Sequence, residues 1–155
     1  MQRVLTALDT LCVRAVCTLG PALDPTRFVA PPNVVLERFV PHGAVLPKAA
    51  AVVTQCGIGT VIKSLAHGVP LVCLPLIADQ PDNAARVVAR GAGLRLPKHA
   101  SPEQIQRAVQ QVLFEPKFRE AARRLASNLT QDAAENAVIE LEAMAQAVAS
   151  LTMRE

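Results

Sequence analysis

Along the chain, short apolar runs alternate with segments whose apolar residues recur every three or four positions. The runs are typical of strands buried on both faces, and the periodic segments are typical of amphipathic helices. Strands are predicted at 13–20, 33–40, 49–54, 71–75 and 93–97. Helices are predicted at 2–11, 60–67, 82–90, 101–113, 118–127 and 132–151. This alternation predicts an α/β fold, with a Rossmann-like parallel sheet and helices on both of its faces.

Glycine, proline and serine residues mark several of these boundaries. Gly68, with Pro70 beyond it, ends one helix, and Gly91 ends another. Pro81 suits the first turn of the helix that follows it. The sequence SPEQ at 101–104 predicts a capping box, in which serine and glutamine satisfy each other's backbone groups.

The predicted order of elements lacks one strand. The chain opens on a helix, although in a doubly wound sheet such a helix follows a strand. In the usual order 3-2-1-4-5-6 the first strand is central, so its neighbours would be residues 13–18 and 49–54. Each of them would then have an unpaired edge, unless the two strands close up and pair directly or something else fills the gap. We expect low stability and self-association of the isolated chain, because open apolar edges promote aggregation.

Composition and charge restrict the class of protein. A length of 155 residues suits a single domain (1–155), here a core over 2–127 followed by the helix at 132–151. Aromatic residues make up only 3%, so the core is built from aliphatic side chains. The net charge of +3 comes without a basic run, which argues against nucleic-acid binding. The absence of a signal peptide and of a long apolar segment predicts a cytoplasmic protein without stable membrane insertion.

The four cysteines are expected to be free thiols packed as small apolar residues. Cys12, Cys17, Cys56 and Cys73 form no C-x-x-C pair, and no histidine follows at zinc-binding spacing. No metal site is therefore expected.

The sequence TQCGIGT at 54–60 joins a predicted strand to a predicted helix. Gly57, Gly59 and Thr60 would offer free N–H groups, a hydroxyl and the positive end of a helix dipole to an anion. The pattern is not a P-loop, because Ile62 and not a glycine directly precedes Lys63. It is not the dinucleotide pattern either, because Ile62 also stands at the position of the third glycine of that pattern. The alternative is a tight turn in which Thr60 only caps the helix.

Four stretches of the chain resemble one family. They resemble the donor-binding half of the UDP-glycosyltransferases, which have the GT-B fold, and specifically the bacterial macrolide and antibiotic members. The resemblance runs from about residue 2 to residue 145. The four stretches are RFVPHGAVLP (38–47), VVTQCGIGT (52–60), SLAHGVPLVCLP (64–75) and ADQPDNAARVVARGAGLRL (78–96).

The resemblance implies a site for a nucleotide-diphosphate sugar. The diphosphate would be bound by Gln55, Gly57, Gly59 and Thr60, the sugar by Asp79 and Gln80, and the nucleobase by Phe39, Val40 and His42. Asp79 as a helix cap and Phe39 as a core residue are the structural alternatives. Two positions depart from the family pattern. Gln55 stands where a phosphate-binding histidine is usual, and Lys63 where a ribose-binding glutamate is common.

The resemblance also implies transfer of a hexose from a UDP or TDP sugar to a hydroxyl group, with inversion at the sugar. In the family the catalytic base lies on an N-terminal acceptor domain, which is absent here, so no catalytic residue and no further cofactor are expected in this chain. One alternative is a split enzyme with a separate acceptor subunit. Another is a non-catalytic remnant or nucleotide-sugar-binding module. A nicotinamide oxidoreductase is disfavoured, because the dinucleotide pattern is incomplete.

Overall fold

The structure is a computed structural model, and it describes residues 1–129 and the single residue 142. Its helices are α1 (Gln2–Asp9), α2 (His42–Val45), α3 (Ile58–Ala66), α4 (Gln80–Ala89), α5 (Pro102–Phe114) and α6 (Pro116–Asn128). Its strands are β1 (Ala15–Thr18), β2 (Val34–Glu37), β3 (Val52–Thr54), β4 (Leu71–Cys73) and β5 (Gly93–Arg95). Short 3-10 helices occur at Pro25–Arg27 and Leu46–Lys48.

All strand pairs are parallel, and they form two sheets. β1 pairs with β2, so that Ala15 lies opposite Val34. The second sheet has the order β3-β4-β5, with Val53 opposite Val72 and Val72 opposite Leu94. The α/β class predicted from the sequence is therefore confirmed, since parallel strands alternate with helices.

The two sheets meet where the sequence predicts the gap. Within residues 1–129, β1 and β3 are not paired with each other. Ala15 and Leu19 donate their N–H groups toward β2, and Val52 donates toward β4. Because the direction of backbone bonding alternates along a strand, the N–H groups of Val16 and Val53 face the gap. Within residues 1–129 the strands on either side of it thus have open edges, and they do not pair directly.

One hydrophobic cluster lies under α1 and α5 and spans both sheets. Leu5 and Leu8 of α1 and Ile105 and Val109 of α5 are buried in it. Its strand residues come from both sheets, including Ala15, Cys17, Val34, Val53, Val72 and Leu94. The shared packing layer holds the two sheets together although no strand pairing joins them.

A second cluster lies on the opposite face of the larger sheet, under α3, α4 and α6. It contains Cys56, Val61, Leu71, Cys73, Ala84, Val87, Ala92, Ala121 and Ala122. β4 contributes to both clusters in alternation, and all three of its residues are buried. Its wholly apolar sequence is explained by this position between two helical layers.

Several predicted elements differ from the observed ones. Every strand is shorter than predicted, and residues 39–41 have no regular structure and lead into α2 and a 3-10 helix. α3 begins at Ile58, two residues before its predicted start. Cys12 is exposed, contrary to the expectation for the cysteines. The capping box at Ser101 is confirmed. The predicted helix at 132–151 lies outside the described residues.

Candidate functional site

The glycine turn connects the end of β3 to the start of α3, at the carboxyl edge of the sheet. Cys56 there has φ +68, a left-handed conformation that non-glycine residues rarely adopt. Its N–H group donates to the hydroxyl of Thr54, 3.1 Å away. The sequence suggested that Gly57 and Gly59 shape this turn, but the unusual conformation falls on the residue before them.

Gly57 is the N-cap of α3, and no side chain caps this end of the helix. The carbonyl of Gly57 accepts from the N–H groups of Thr60 and Val61, which leaves those of Ile58 and Gly59 without a backbone partner in the described residues. A Cβ on Gly57 or Gly59 would meet no atom within 4 Å. The end of α3 is therefore open, and an anion can approach its N–H groups closely.

The second turn of the site lies between β4 and α4. Ala78 has φ +54 and directly precedes Asp79, the N-cap of α4. Gln80 is buried, and its Oε1 accepts from the N–H groups of Leu76 and Ile77 at 2.9 and 3.1 Å. The side chain of Gln80 thus fixes the loop before it, and only its amide hydrogens remain for a ligand.

Asn83 connects the two turns. Its Nδ2 donates to the carbonyl of Cys56 at 3.1 Å and to Oδ2 of Asp79 at 2.8 Å. The residues predicted to bind diphosphate and those predicted to bind sugar are therefore adjacent, at the carboxyl ends of β3 and β4. Ligands bind at this edge in open α/β sheets.

Two buried thiols lie beneath the glycine turn. Cys56 and Cys73 are both fully buried, and a hydrogen bond from the Cys73 thiol lowers the pKa of Cys56. The same hydrogen bond, followed by burial, raises the pKa of Cys73. The pKa of Cys73 is therefore held above its ordinary value, and its thiol stays protonated.

A cleft of about 500 Å³ lies beside the C-terminal half of α3. It is lined by all three residues predicted for the nucleobase, Phe39, Val40 and His42, and also by Lys63 of α3 and by His67, the C-cap of this helix. Phe39 is 77% exposed, so it does not belong to the core. A cleft with one exposed aromatic face and basic side chains suits a flat, anionic ligand.

Three site features were not predicted from the sequence. The role of Asn83 was missed, although a polar residue between the buried positions 80 and 84 of an amphipathic helix is a detectable signal. Lys63, named above only for its departure from the family pattern, is exposed and lines the cleft. Arg95 at the end of β5 donates to the carbonyl of Pro81 at 3.5 Å and so lies near the second turn.

Among the described residues, two of those predicted to bind the diphosphate make no side-chain hydrogen bonds that would fix their position. Gln55 is exposed, and neither its side chain nor the hydroxyl of Thr60 has a hydrogen-bond partner within residues 1–129.

A separate cleft of about 470 Å³ between β5 and α5 contains none of the predicted site residues. Within the described part of the chain, no three metal-ligating side chains come together. No helix there is long and apolar enough to cross a membrane.

Comparison with known families identifies the domain. Residues 2–144 match the family described as erythromycin biosynthesis protein CIII-like, C-terminal domain. The chain belongs to this family. It is thus a C-terminal domain of the GT-B glycosyltransferases, as the sequence resemblance suggested.

Individual relatives agree with the family. The chain is 46% identical over 124 residues to 4′-demethylrebeccamycin synthase of Lentzea aerocolonigenes, which covers 79% of the chain and 28% of the relative. The chain therefore spans just over a quarter of the length of this relative.

Solved structures of glycosyltransferases share the fold of the CIII-like domain. The calicheamicin glycosyltransferase CalG4 superposes with a TM-score of 0.84 at 31% identity, over 92% of this chain and 37% of CalG4. The glycosyltransferase VinC, solved in complex with DTDP, superposes with a TM-score of 0.74 at 27% identity, over 81% of this chain and 32% of VinC.

Proposed function

We propose that this CIII-like domain binds a nucleotide-diphosphate sugar and forms the donor half of an inverting hexosyltransferase. The observation that carries the proposal is the contact through Asn83, which places Asp79 beside the open end of α3. An anionic diphosphate at the helix end would bring its sugar to the carboxylate of Asp79. The sugar hydroxyls would donate to this carboxylate.

The proposed ligand spans three parts of the site. The N–H groups of Ile58 and Gly59 and the hydroxyl of Thr60 bind the diphosphate, assisted by Gln55. The base occupies the cleft that is lined by Phe39, Val40 and His42. Asp79 and the amide hydrogens of Gln80 bind the sugar. The complex of VinC with DTDP supports a nucleoside diphosphate as the ligand class, and a UDP or TDP sugar is the proposed donor.

The chemical role of this domain is to stabilise the leaving group. As the bond between sugar and phosphate breaks, negative charge grows on the diphosphate, where the N–H groups and the dipole of α3 stabilise it. Deprotonation of the acceptor hydroxyl requires a base, which we assign to a part of the enzyme outside these 155 residues. Transfer then needs no metal or further cofactor from this domain.

Isothermal titration with UDP, TDP and their glucose conjugates tests the binding. We expect Thr60→Val to weaken all four ligands, and Asp79→Asn to weaken the conjugates more than the free diphosphates, because only the conjugates carry a sugar. Arg107→Gln in the separate cleft is the control, and it should leave the affinity for all four ligands unchanged. The wild-type chain binding none of the four ligands would contradict the proposal.

A non-catalytic nucleotide-sugar-binding module is the second candidate. It is favoured by the exposed Gln55 and by Lys63 in the cleft, since both differ from the family pattern. A chimaera distinguishes the two, in which this chain replaces the aligned segment of 4′-demethylrebeccamycin synthase. Formation of that enzyme's product indicates a catalytically competent donor half. A folded chimaera that binds donor but forms no product indicates the binding module.

A further inference from the structure

Asn83 is a buried polar residue with both of its amide hydrogens in use. It is 4% exposed and lies on α4, one turn after Asp79. One N–H bond goes to the carbonyl of Cys56, and the other goes to Oδ2 of Asp79. Since an amide nitrogen has two hydrogens, its donor capacity is exhausted by these two contacts. Both partners belong to the proposed donor site.

The two turns that Asn83 joins are the strained ones. Among the described residues, Cys56 and Ala78 are the non-glycine residues with positive φ. Each directly precedes a residue of the proposed site, Gly57 in one turn and Asp79 in the other. Such conformations are unfavourable for residues with a Cβ and persist only where surrounding contacts fix them. A hydrogen bond to the carbonyl of Cys56 is a contact of this kind.

The bond to Asp79 also fixes the direction of its carboxylate. Oδ2 accepts from Asn83 at 2.8 Å, which leaves Oδ1 as the oxygen available to a ligand. The N–H group of Asn83 donates to the carbonyl of Asp79 at 3.0 Å, so the main chain of the helix start is held as well. Movement of either turn would therefore be transmitted to the other through one side chain.

We infer that Asn83 is a positioning residue that couples the diphosphate turn to the sugar-binding turn. The inference rests on the proposed function, because the coupling matters only where the two turns bind parts of one ligand. Binding of a diphosphate at the start of α3 fixes the carbonyl of Cys56, and this carbonyl orients Asn83 and hence Asp79. The sugar then meets a carboxylate that is already oriented.

The first test removes the two donors and keeps the size of the side chain. We expect Asn83→Leu to weaken the binding of UDP and UDP-glucose by about thirtyfold, which corresponds to about 2 kcal/mol for the two hydrogen bonds that are lost. Asn83→Ala, which also lacks the donors, serves if the leucine variant does not fold. Val87→Ala is the matched control, because Val87 is buried one turn further along α4 and its apolar side chain makes no hydrogen bond to either turn. Isothermal titration of both ligands gives the comparison.

The second test measures the coupling itself. UDP carries no hexose, so Asp79 would not affect the binding of UDP if its carboxylate contacted only the sugar of the donor. We expect Asp79→Ala to weaken UDP several-fold in the wild-type background and to have no further effect beside Asn83→Leu. A merely structural role of Asn83 would not produce this non-additivity. Unchanged UDP binding by Asp79→Ala in the wild-type background would overturn the inference.

A measurement without ligand separates this inference from the proposed function. The hydrogen bond to the carbonyl of Cys56 polarises the peptide bond to Gly57, so Asn83→Leu should shift the ¹⁵N resonance of Gly57 more than Val87→Ala does. A shift together with no binding of UDP by the wild type would overturn the function and keep the positioning role. An unshifted Gly57 resonance would overturn the positioning role whatever binds.

Discussion

The exposed Gln55 offers a way to test the diphosphate site by adding charge. It immediately precedes the strained Cys56, and it stands where the family usually has histidine. A neutral amide donates a hydrogen bond worth about 1 kcal/mol, whereas bonds from a charged donor contribute about 1.5–3 kcal/mol. Because the position is exposed, solvent screening keeps the gain near the lower end. We expect Gln55→His to improve binding by about 1 kcal/mol, or roughly fivefold.

The gain should depend on pH with a definite sign. An introduced histidine with an ordinary pKa of about 6.5 is roughly nine-tenths protonated at about pH 5.5 and largely neutral at about pH 8. The improvement is therefore present at the acidic pH and lost at the alkaline one. UDP-glucose is the suitable ligand, because both of its phosphates are esterified and keep their charge over this range. Titration calorimetry at the two pH values gives the ratio of the affinity of Gln55→His to that of the wild type.

A control with the same chemical change must leave binding unaffected. Gln110 is an exposed glutamine of α5 in the separate cleft, so Gln110→His adds the same charge far from the glycine turn. An equal gain for both variants would indicate a general effect of net charge. Equal affinity of Gln55→His and wild type at both pH values would remove position 55 from the phosphate site.

Three further changes test the fold. Gly93→Ala should destabilise the domain by about 1–3 kcal/mol, because a Cβ there would overlap the carbonyl oxygen of Leu71. Ser101→Ala should lower the free energy of unfolding by about 1 kcal/mol, since the serine hydroxyl accepts from the N–H group of Gln104 at 3.3 Å. Both are measured by urea unfolding. Val16→Lys should reduce self-association in light scattering, because Val16 is 49% exposed on a strand with an open edge.

Matched substitutions give the reference for each change. Gly43→Ala should be tolerated, since a Cβ at that position meets no atom within 4 Å. Ser127→Ala removes an exposed hydroxyl in the last turn of α6 that donates to the carbonyl of Arg124, so no N-terminal cap is lost. Gln110→Lys adds charge away from the strand edges. If a control changes the free energy of unfolding or the self-association as much as its test variant does, the corresponding explanation is contradicted.

The elements that could be predicted are those that depend on residues close together in the sequence. β4 was recognisable because a strand between two helical layers is apolar at every position, and the capping box because its two partners lie three residues apart. α2 was missed, because four residues between Pro41 and a 3-10 helix are too few to show helical periodicity. Boundaries of the strands were too wide, since apolar side chains continue beyond the last paired residue.

The geometry of the site was beyond local patterns. Positive φ angles are predicted at glycine, whereas Cys56 and Ala78 adopt them under tertiary constraint. The contact of Asn83 with Cys56 joins residues 27 positions apart, and nothing in the spacing of either residue indicates it. The sequence did locate the two turns, because each follows a strand that ends at the same edge of the sheet.

The open edges beside the gap have a consequence for amide hydrogen exchange. In a continuous doubly wound sheet the central strands are the slowest to exchange, because both of their edges are bonded. Here the N–H groups of Val16 and Val53 are central but have no strand partner within residues 1–129, whereas the residues of β4 are bonded on both sides. Exchange should therefore be fast in the middle of the domain and slow on either side of it. The two sheets then behave as separate cooperative units that are connected mainly through the helical layer of α1 and α5.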